Sequence, residues 1–272
     1  MVRQGRRGQR GAPQVGGVPR LGGGHLPGGL AIRCLLAAGL IGGVLASAQV
    51  NASTNAPVIQ PGSRITMGGE GCTANWVYLG LGRLRGQQFI GTAKHCVSRV
   101  GEPVYLAAGP FPVSFAPGLR IGTVAYISRA SDFSLIRITR SNFRYVVASM
   151  AGHPDIPRRV GGTRDAKVGD VCQFSGHGVG FDGLPETEQS RVGLLTYISR
   201  DQLYCDGPAS NGDSGGPVAD ITDGNAAIGV LDAFNIDVGG STANAGVNGV
   251  ALTEVLADAA GHGFPIRLRT VG

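Results

Sequence analysis

The 272-residue sequence predicts an all-β chain. Glycine supplies 47 residues and aromatics only 6%, a turn-rich balance that suits strands better than helices. Short apolar runs recur along the chain, each about strand length and bounded by Gly, Pro or polar turns. In the first half they cover 75–81, 88–93, 103–108, 120–127 and 133–138. The stretch 152–159 is rich in Pro and Arg and separates the halves. In the second half the same rhythm returns over 170–175, 190–199, 217–219, 226–234 and 247–251. The run 253–260, with Leu256 and several alanines, predicts one short C-terminal helix.

The N-terminus has a different character. A basic stretch up to Arg33 leads into the apolar run 34–45, and Ala46-Ser47-Ala48 has the small-x-small form of a signal peptidase site. This predicts a signal peptide over 1–48, cleavage after Ala48, and a secreted protein. The alternative is an uncleaved anchor at the cell surface. A spanning helix needs about 20 apolar residues, and this run is shorter and broken by glycines, so no stable membrane insertion is expected. Residues 49–64 read as an exposed leader, and Asn51-Ala52-Ser53 within it matches the N-glycosylation pattern.

Charge follows the same division. The formal net charge is +6, but six arginines and no acid lie within 1–48, leaving 18 basic and 18 acidic residues downstream. The folded part therefore has no electrostatic reason to bind nucleic acid. Of the five cysteines, Cys34 falls in the signal segment. The remaining Cys72, Cys96, Cys172 and Cys205 allow three pairings, and export favours disulfides. None of them forms a C-x-x-C pair with a matching histidine, so no metal site is expected.

Chemistry concentrates in three places. Gly212-Asp213-Ser214-Gly215-Gly216-Pro217 sets one serine in a glycine turn, where backbone N–H groups can converge beside its hydroxyl. Upstream, Gly91-Thr92-Ala93-Lys94-His95-Cys96 ends an apolar run on a histidine. Between them Asp132 opens the alternating run Phe133 to Ile138. Each alone has a plain explanation as a turn, a packed histidine or a turn-forming acid. Together, in the order His95, Asp132, Ser214, they match the chymotrypsin order of a catalytic triad. Asp155, Asp165 and Asp170 open no such strand, and His153, His177 and His262 lie in no motif.

On these motifs the chain, from about Ile65 onward, resembles the chymotrypsin-fold (S1) serine peptidases, nearest in style to the secreted bacterial streptogrisin and α-lytic type. The resemblance implies two six-stranded antiparallel β-barrels, over 65–151 and 170–272 with the C-terminal helix, joined by a connector over 152–169. The active site would lie in the cleft between them. It implies bridges Cys72–Cys96 and Cys172–Cys205, the first beside the catalytic histidine. It assigns His95 as general base, Asp132 as its orienting acid and Ser214 as nucleophile, with the N–H groups of Gly212 and Ser214 as oxyanion hole. Asp213 would be a buried acid holding the turn, with no zymogen cleavage. The expected activity is endopeptidase cleavage of protein or peptide substrates by a monomer without cofactor.

The substrate pocket is expected at Pro208, Ala209, Asp232 and Phe234. In trypsin-like relatives an acid lies six residues before the serine and selects Lys or Arg. Pro208 holds that place here, so the expected P1 residue is small or medium and apolar. Lys94 and Asp232 depart from the family pattern, Asp232 near a site where relatives use a serine. They motivate an alternative, an exported binding or scaffold module with little turnover.

Overall fold

The computed structural model describes residues 57–68, 70–108, 116–177, 189–209, 212–236 and 245–272. The signal segment, Ala48, Cys34 and the glycosylation match lie outside these residues. The described chain is mostly β, with a single α-helix among the described residues.

The first half contributes β1 (Arg64–Met67), β2 (Glu70–Thr73), β3 (Val77–Gly80), β4 (Gln88–Thr92), β5 (Pro103–Ala108), β6 (Ala116–Ile127) and β7 (Ser134–Ile138). The second contributes β8 (Arg159–Val160), β9 (Val171–Gly176), β10 (Gln189–Ile198), β11 (Gln202–Asp206), β12 (Pro217–Asp220), β13 (Ala226–Ile236) and β14 (Ala245–Ala251). The chain ends with α1 (Leu252–Gly261) and β15 (Ile266–Leu268). The first sheet runs β15-β3-β4-β7-β6-β5-β1-β2, so the C-terminal strand and β2 extend a six-stranded curl to eight. The second runs β12-β9-β10-β11-β14-β13-β8 and closes on itself where β12 also pairs with β13. Six antiparallel strands thus form a closed barrel, and β8 adds to it in parallel. This is the two-barrel architecture of the chymotrypsin-like fold.

Apolar side chains of the strands fill the interiors. Along β7, Ser134, Leu135, Ile136 and Ile138 are buried while Arg137 is exposed. Ile65, Val104, Ile121 and Ile136 fill the first barrel; Phe174, Leu195, Leu203 and Val218 fill the second. A third cluster lies between the barrels, where Trp76, Phe133 and Tyr126 from the first meet Val230 and Val250 from the second and Leu252 and Val255 from α1. Burying a side chain of this size contributes about 1.5–3 kcal/mol, so this seam holds the two barrels as one body. Trp76 is fully buried, and its indole N–H donates to the Gly229 carbonyl of β13 at 2.9 Å. Cys72 is bonded to Cys96 and Cys172 to Cys205.

Two segments differ from their sequence reading. The leader is not exposed from Ile59 onward. Ile59 is fully buried, its N–H donates to Tyr145 (2.8 Å) and its carbonyl accepts from Val147 (2.9 Å). An apolar side chain can enter the first core there only if its backbone groups find partners, and the 145–147 segment supplies them. The connector is also partly regular, since Arg159 and Val160 pair with Ala226 and Ala227. No described helix is long and apolar enough to cross a membrane.

Trp76→Phe removes the only indole of the chain and leaves the Gly229 carbonyl without its donor. The expected loss is about 1–3 kcal/mol in urea unfolding. An unchanged midpoint would show that this bond contributes nothing to barrel adhesion.

Candidate active site

His95 sits in a short 3-10 turn, Lys94–Cys96, directly after β4. The disulfide through Cys96 ties that turn to Cys72 at the end of β2. Asp132 lies in the turn between β6 and β7. Its Oδ2 is 2.6 Å from His95 Nδ1, and its Oδ1 accepts the His95 backbone N–H at 2.9 Å. The carboxylate therefore grips both the ring and the main chain of the histidine. Burial pushes the Asp132 carboxyl up, but the hydrogen bonds from the His95 ring and backbone outweigh it, and the group is held below its ordinary value. The imidazole side chain is 49% exposed and the carboxylate 26%, so the ring opens to solvent while its partner is tucked behind.

Ser214 lies in the turn before β12. Gly212 has φ 102° and Gly215 φ 89°, the left-handed region that only glycine adopts readily. Gly215 is required for a second reason. A Cβ there would lie 2.3 Å from Thr92 Oγ1 and 2.7 Å from the Ala93 nitrogen, so the serine turn is pressed against the strand leading to His95. Thr73 stitches the same junction: its N–H donates to the Ser214 carbonyl (2.9 Å) and its hydroxyl to the Gly212 carbonyl (2.8 Å). The Gly215 N–H donates to Leu231 and the Leu231 N–H to Gly216, which docks the turn on β13. Among the described residues no backbone carbonyl is bonded to the N–H of Gly212 or Ser214.

Asp213 is completely buried and pairs with Arg191, whose side chain is 9% exposed. Arg191 comes from β10, opposite Phe174 on β9, with its guanidinium 5.9 Å from that ring. Sequence reasoning singled out Asp213 and missed this partner. A signal existed: Arg191 falls in the inward register of β10 with Gly193 and Leu195, where a cation needs an acid.

Ala209 is buried in the second core, and Pro208 is exposed. Asp232 lines a cavity of about 620 Å³ with Ser131, Asp132, Arg200 and Glu254. Phe234 is placed by its backbone, opposite Val247 on β14. Lys94 is exposed and, with Arg129, borders a smaller cavity beside His95 and Asp132. Cys72, His95 and Cys96 bring potential ligand atoms within 4.8 Å of one another, but the two sulfurs are bonded to each other and offer no thiolate.

No protein-family model matches the chain, and no curated protein matches it. Solved structures do. One is Thermobifida fusca Protease A, with TM-score 0.51 and 19% identity over 78% of this chain and 99% of that one. Another is a glutamic acid specific serine protease described as using a histidine triad in substrate binding, with TM-score 0.55 and 19% identity over 78% of this chain and 100% of that one. At this identity the likeness establishes the fold, which is that of chymotrypsin-like serine proteases.

Two outcomes follow. Arg191→Met removes the cation paired with the buried Asp213 carboxylate, and the expected cost is about 3–5 kcal/mol in chemical unfolding. Asp132 has its folded pKa depressed, so its contribution is present above the unfolded value of about 3.9 and fades as pH falls through the lower folded value. Between about pH 6 and about pH 3, stability should therefore fall less steeply in Asp132→Asn than in wild type. Parallel curves would contradict this.

Proposed function

We propose that the protein is a secreted serine endopeptidase acting through His95, Asp132 and Ser214. The observation that carries this reading is the doubly bonded His95–Asp132 pair, set against a glycine-framed serine turn by Thr73 and Gly215.

A serine hydroxyl is a weak nucleophile at neutral pH. His95 takes its proton as Oγ attacks the scissile carbonyl, then gives that proton to the departing amine. Asp132 keeps Nδ1 protonated, so Nε2 is the basic nitrogen facing outward, and it stabilises the imidazolium formed. The tetrahedral oxyanion meets the N–H groups of Gly212 and Ser214. Losing one such donor typically costs about 100-fold or more in turnover. The acyl-enzyme is then hydrolysed by water through the same base.

The Arg191–Asp213 pair supports a turn that is competent without a freed N-terminal amine, because Asp213 already has a cation from within the barrel. Pro208 at the position of the specificity acid supports small or medium apolar P1 residues. The signal segment and two disulfides support export, and a monomer acting on peptide or protein substrates without cofactor completes the reading.

A fluorophosphonate probe tests it. The purified mature protein should be labelled at Ser214, and Ser214→Ala should abolish labelling and lower kcat by roughly a millionfold. A folded, disulfide-intact sample that takes no label favours the binding or scaffold reading instead. A peptide library reports the P1 preference, and cleavage after Lys or Arg would overturn the apolar assignment.

A further inference from the structure

The turn that carries Asp132 is held by a hydrogen-bond chain that begins on the C-terminal helix. Asp258 of α1 accepts at Oδ2 from the Tyr126 hydroxyl (2.5 Å) and the Ser128 hydroxyl (2.6 Å). Its Oδ1 is 3.1 Å from Nδ1 of His262, one turn further along the same helix end. Ser128 is 1% exposed. Having given its proton to Asp258, its oxygen accepts the backbone N–H groups of Ala130 (3.1 Å) and Ser131 (2.9 Å), and the Ser131 hydroxyl at 3.0 Å. The Ser128 N–H donates to the Phe133 carbonyl at 2.9 Å, which closes the turn around Asp132.

The direction of the chain is fixed by chemistry. An ionised carboxylate only accepts, so it orients the Ser128 O–H toward α1 and leaves the lone pairs facing the turn. Without Asp258 that hydroxyl is free to rotate and to point its proton at the two N–H groups it now receives. A helix in the second half of the chain thereby sets the main-chain path one residue before the acid that grips His95.

We propose that Asp258 is a positioning residue for the active site, acting through Ser128 to hold Asp132 in register with His95. The proposal rests on the peptidase reading for its kinetic consequence, but not for its geometry. Other charges facing this region are Arg200, Asp201, Asp232 and Glu254 on the cavity shared with Asp258, and Lys94 and Arg129 beside His95. They are common to all variants below, so the comparison of variants separates charge from position.

The test compares Asp258→Ala, Asp258→Asn, Ser128→Ala and Tyr126→Phe in the full mature chain. Three quantities are measured: kcat and KM, the His95 titration by NMR, and the low-field proton resonance of the His95–Asp132 hydrogen bond. Asp258→Ala and Ser128→Ala should lower kcat roughly ten- to hundredfold with KM little changed, because a small displacement of a catalytic group is costly. They should also shift the His95 titration to lower pH and weaken the low-field resonance, since a displaced Asp132 stabilises the imidazolium less. Asp258→Asn keeps an acceptor for both hydroxyls, with the half-exposed His262 able to turn away, and should restore kcat. Tyr126→Phe should lower thermal stability without moving the His95 titration.

A shift in the titration common to the Ala and Asn variants at position 258 would mean that charge rather than position matters, and would overturn the proposal. So would loss of thermal stability with kcat and the titration unchanged. If the wild-type protein has no turnover, the peptidase reading fails while the resonance still decides: its loss in Asp258→Ala and Ser128→Ala supports the positioning role, and its persistence refutes it.

Discussion

The constraint on which the site depends is the ion pair between Arg191 and Asp213. Removing two charges from water costs several kcal/mol each, so such a pair is a poor source of net stability. Its effect is on shape. Once Asp213 is buried it must remain against Arg191, because the unpaired alternatives are expensive, and Asp213 directly precedes Ser214 in a turn where Gly212 and Gly215 hold left-handed conformations. A Cβ on Gly176 would lie 2.3 Å from Asp213 Oδ1, so the strand behind the acid is cut to fit it. The serine is thus fixed by a charge on the second barrel before any contact with the first is considered.

The first barrel supplies the remaining constraints, and they converge on a short stretch of chain. Thr73 follows the disulfide-bonded Cys72 and donates twice to the serine turn, while its carbonyl accepts from the Thr92 hydroxyl at 2.9 Å. Cys96, the partner of Cys72, directly follows His95. One covalent link therefore joins the residue beside the imidazole to the residue beside the serine turn's main anchor. A bridge closing a loop of this length contributes about 3 kcal/mol in the chain-entropy model. Its position matters as much: the histidine and the serine turn refer to the same strand end.

The all-β class, most longer strands and the C-terminal helix were legible because alternation and turn residues are local signals. β1, β8, β11 and β15 were not. β8 is two residues long and β11 reads Gln-Leu-Tyr-Cys-Asp, too short and polar to separate from loop, and β15 pairs only with the distant β3. The segment 57–64 looked like a leader because its composition is that of a loop, and only the pairing of Ile59 with 145–147 reveals its burial. At the site, the residues His95, Asp132, Asp213 and Ser214 stood out by local motif. Arg191, Thr73, Ser128 and Asp258 did not, because each acts through a partner tens of residues or more away. Asp232 was noticed as a departure from the family pattern, and it lines a cavity that Asp132 also borders.

The charges around His95 raise the question of whether field or contact tunes it. Two unit charges at 4 Å interact by about 4 kcal/mol at an effective dielectric near 20, and by about 1 kcal/mol in water. Lys94 is exposed and the imidazole is half-exposed, so their interaction belongs near the aqueous limit and weakens further with salt. The contact from Asp132 is of another kind. It is charge-assisted, short at 2.6 Å and reinforced by a second bond from the same carboxylate to the His95 main chain. Contact therefore outweighs field, and the properties of the imidazole follow the placement of one carboxylate. This ranking also explains why a departure such as Lys94 leaves the His95–Asp132 contact intact. The sensitive quantity is the geometry of the 128–133 turn, and what fixes that turn is buried.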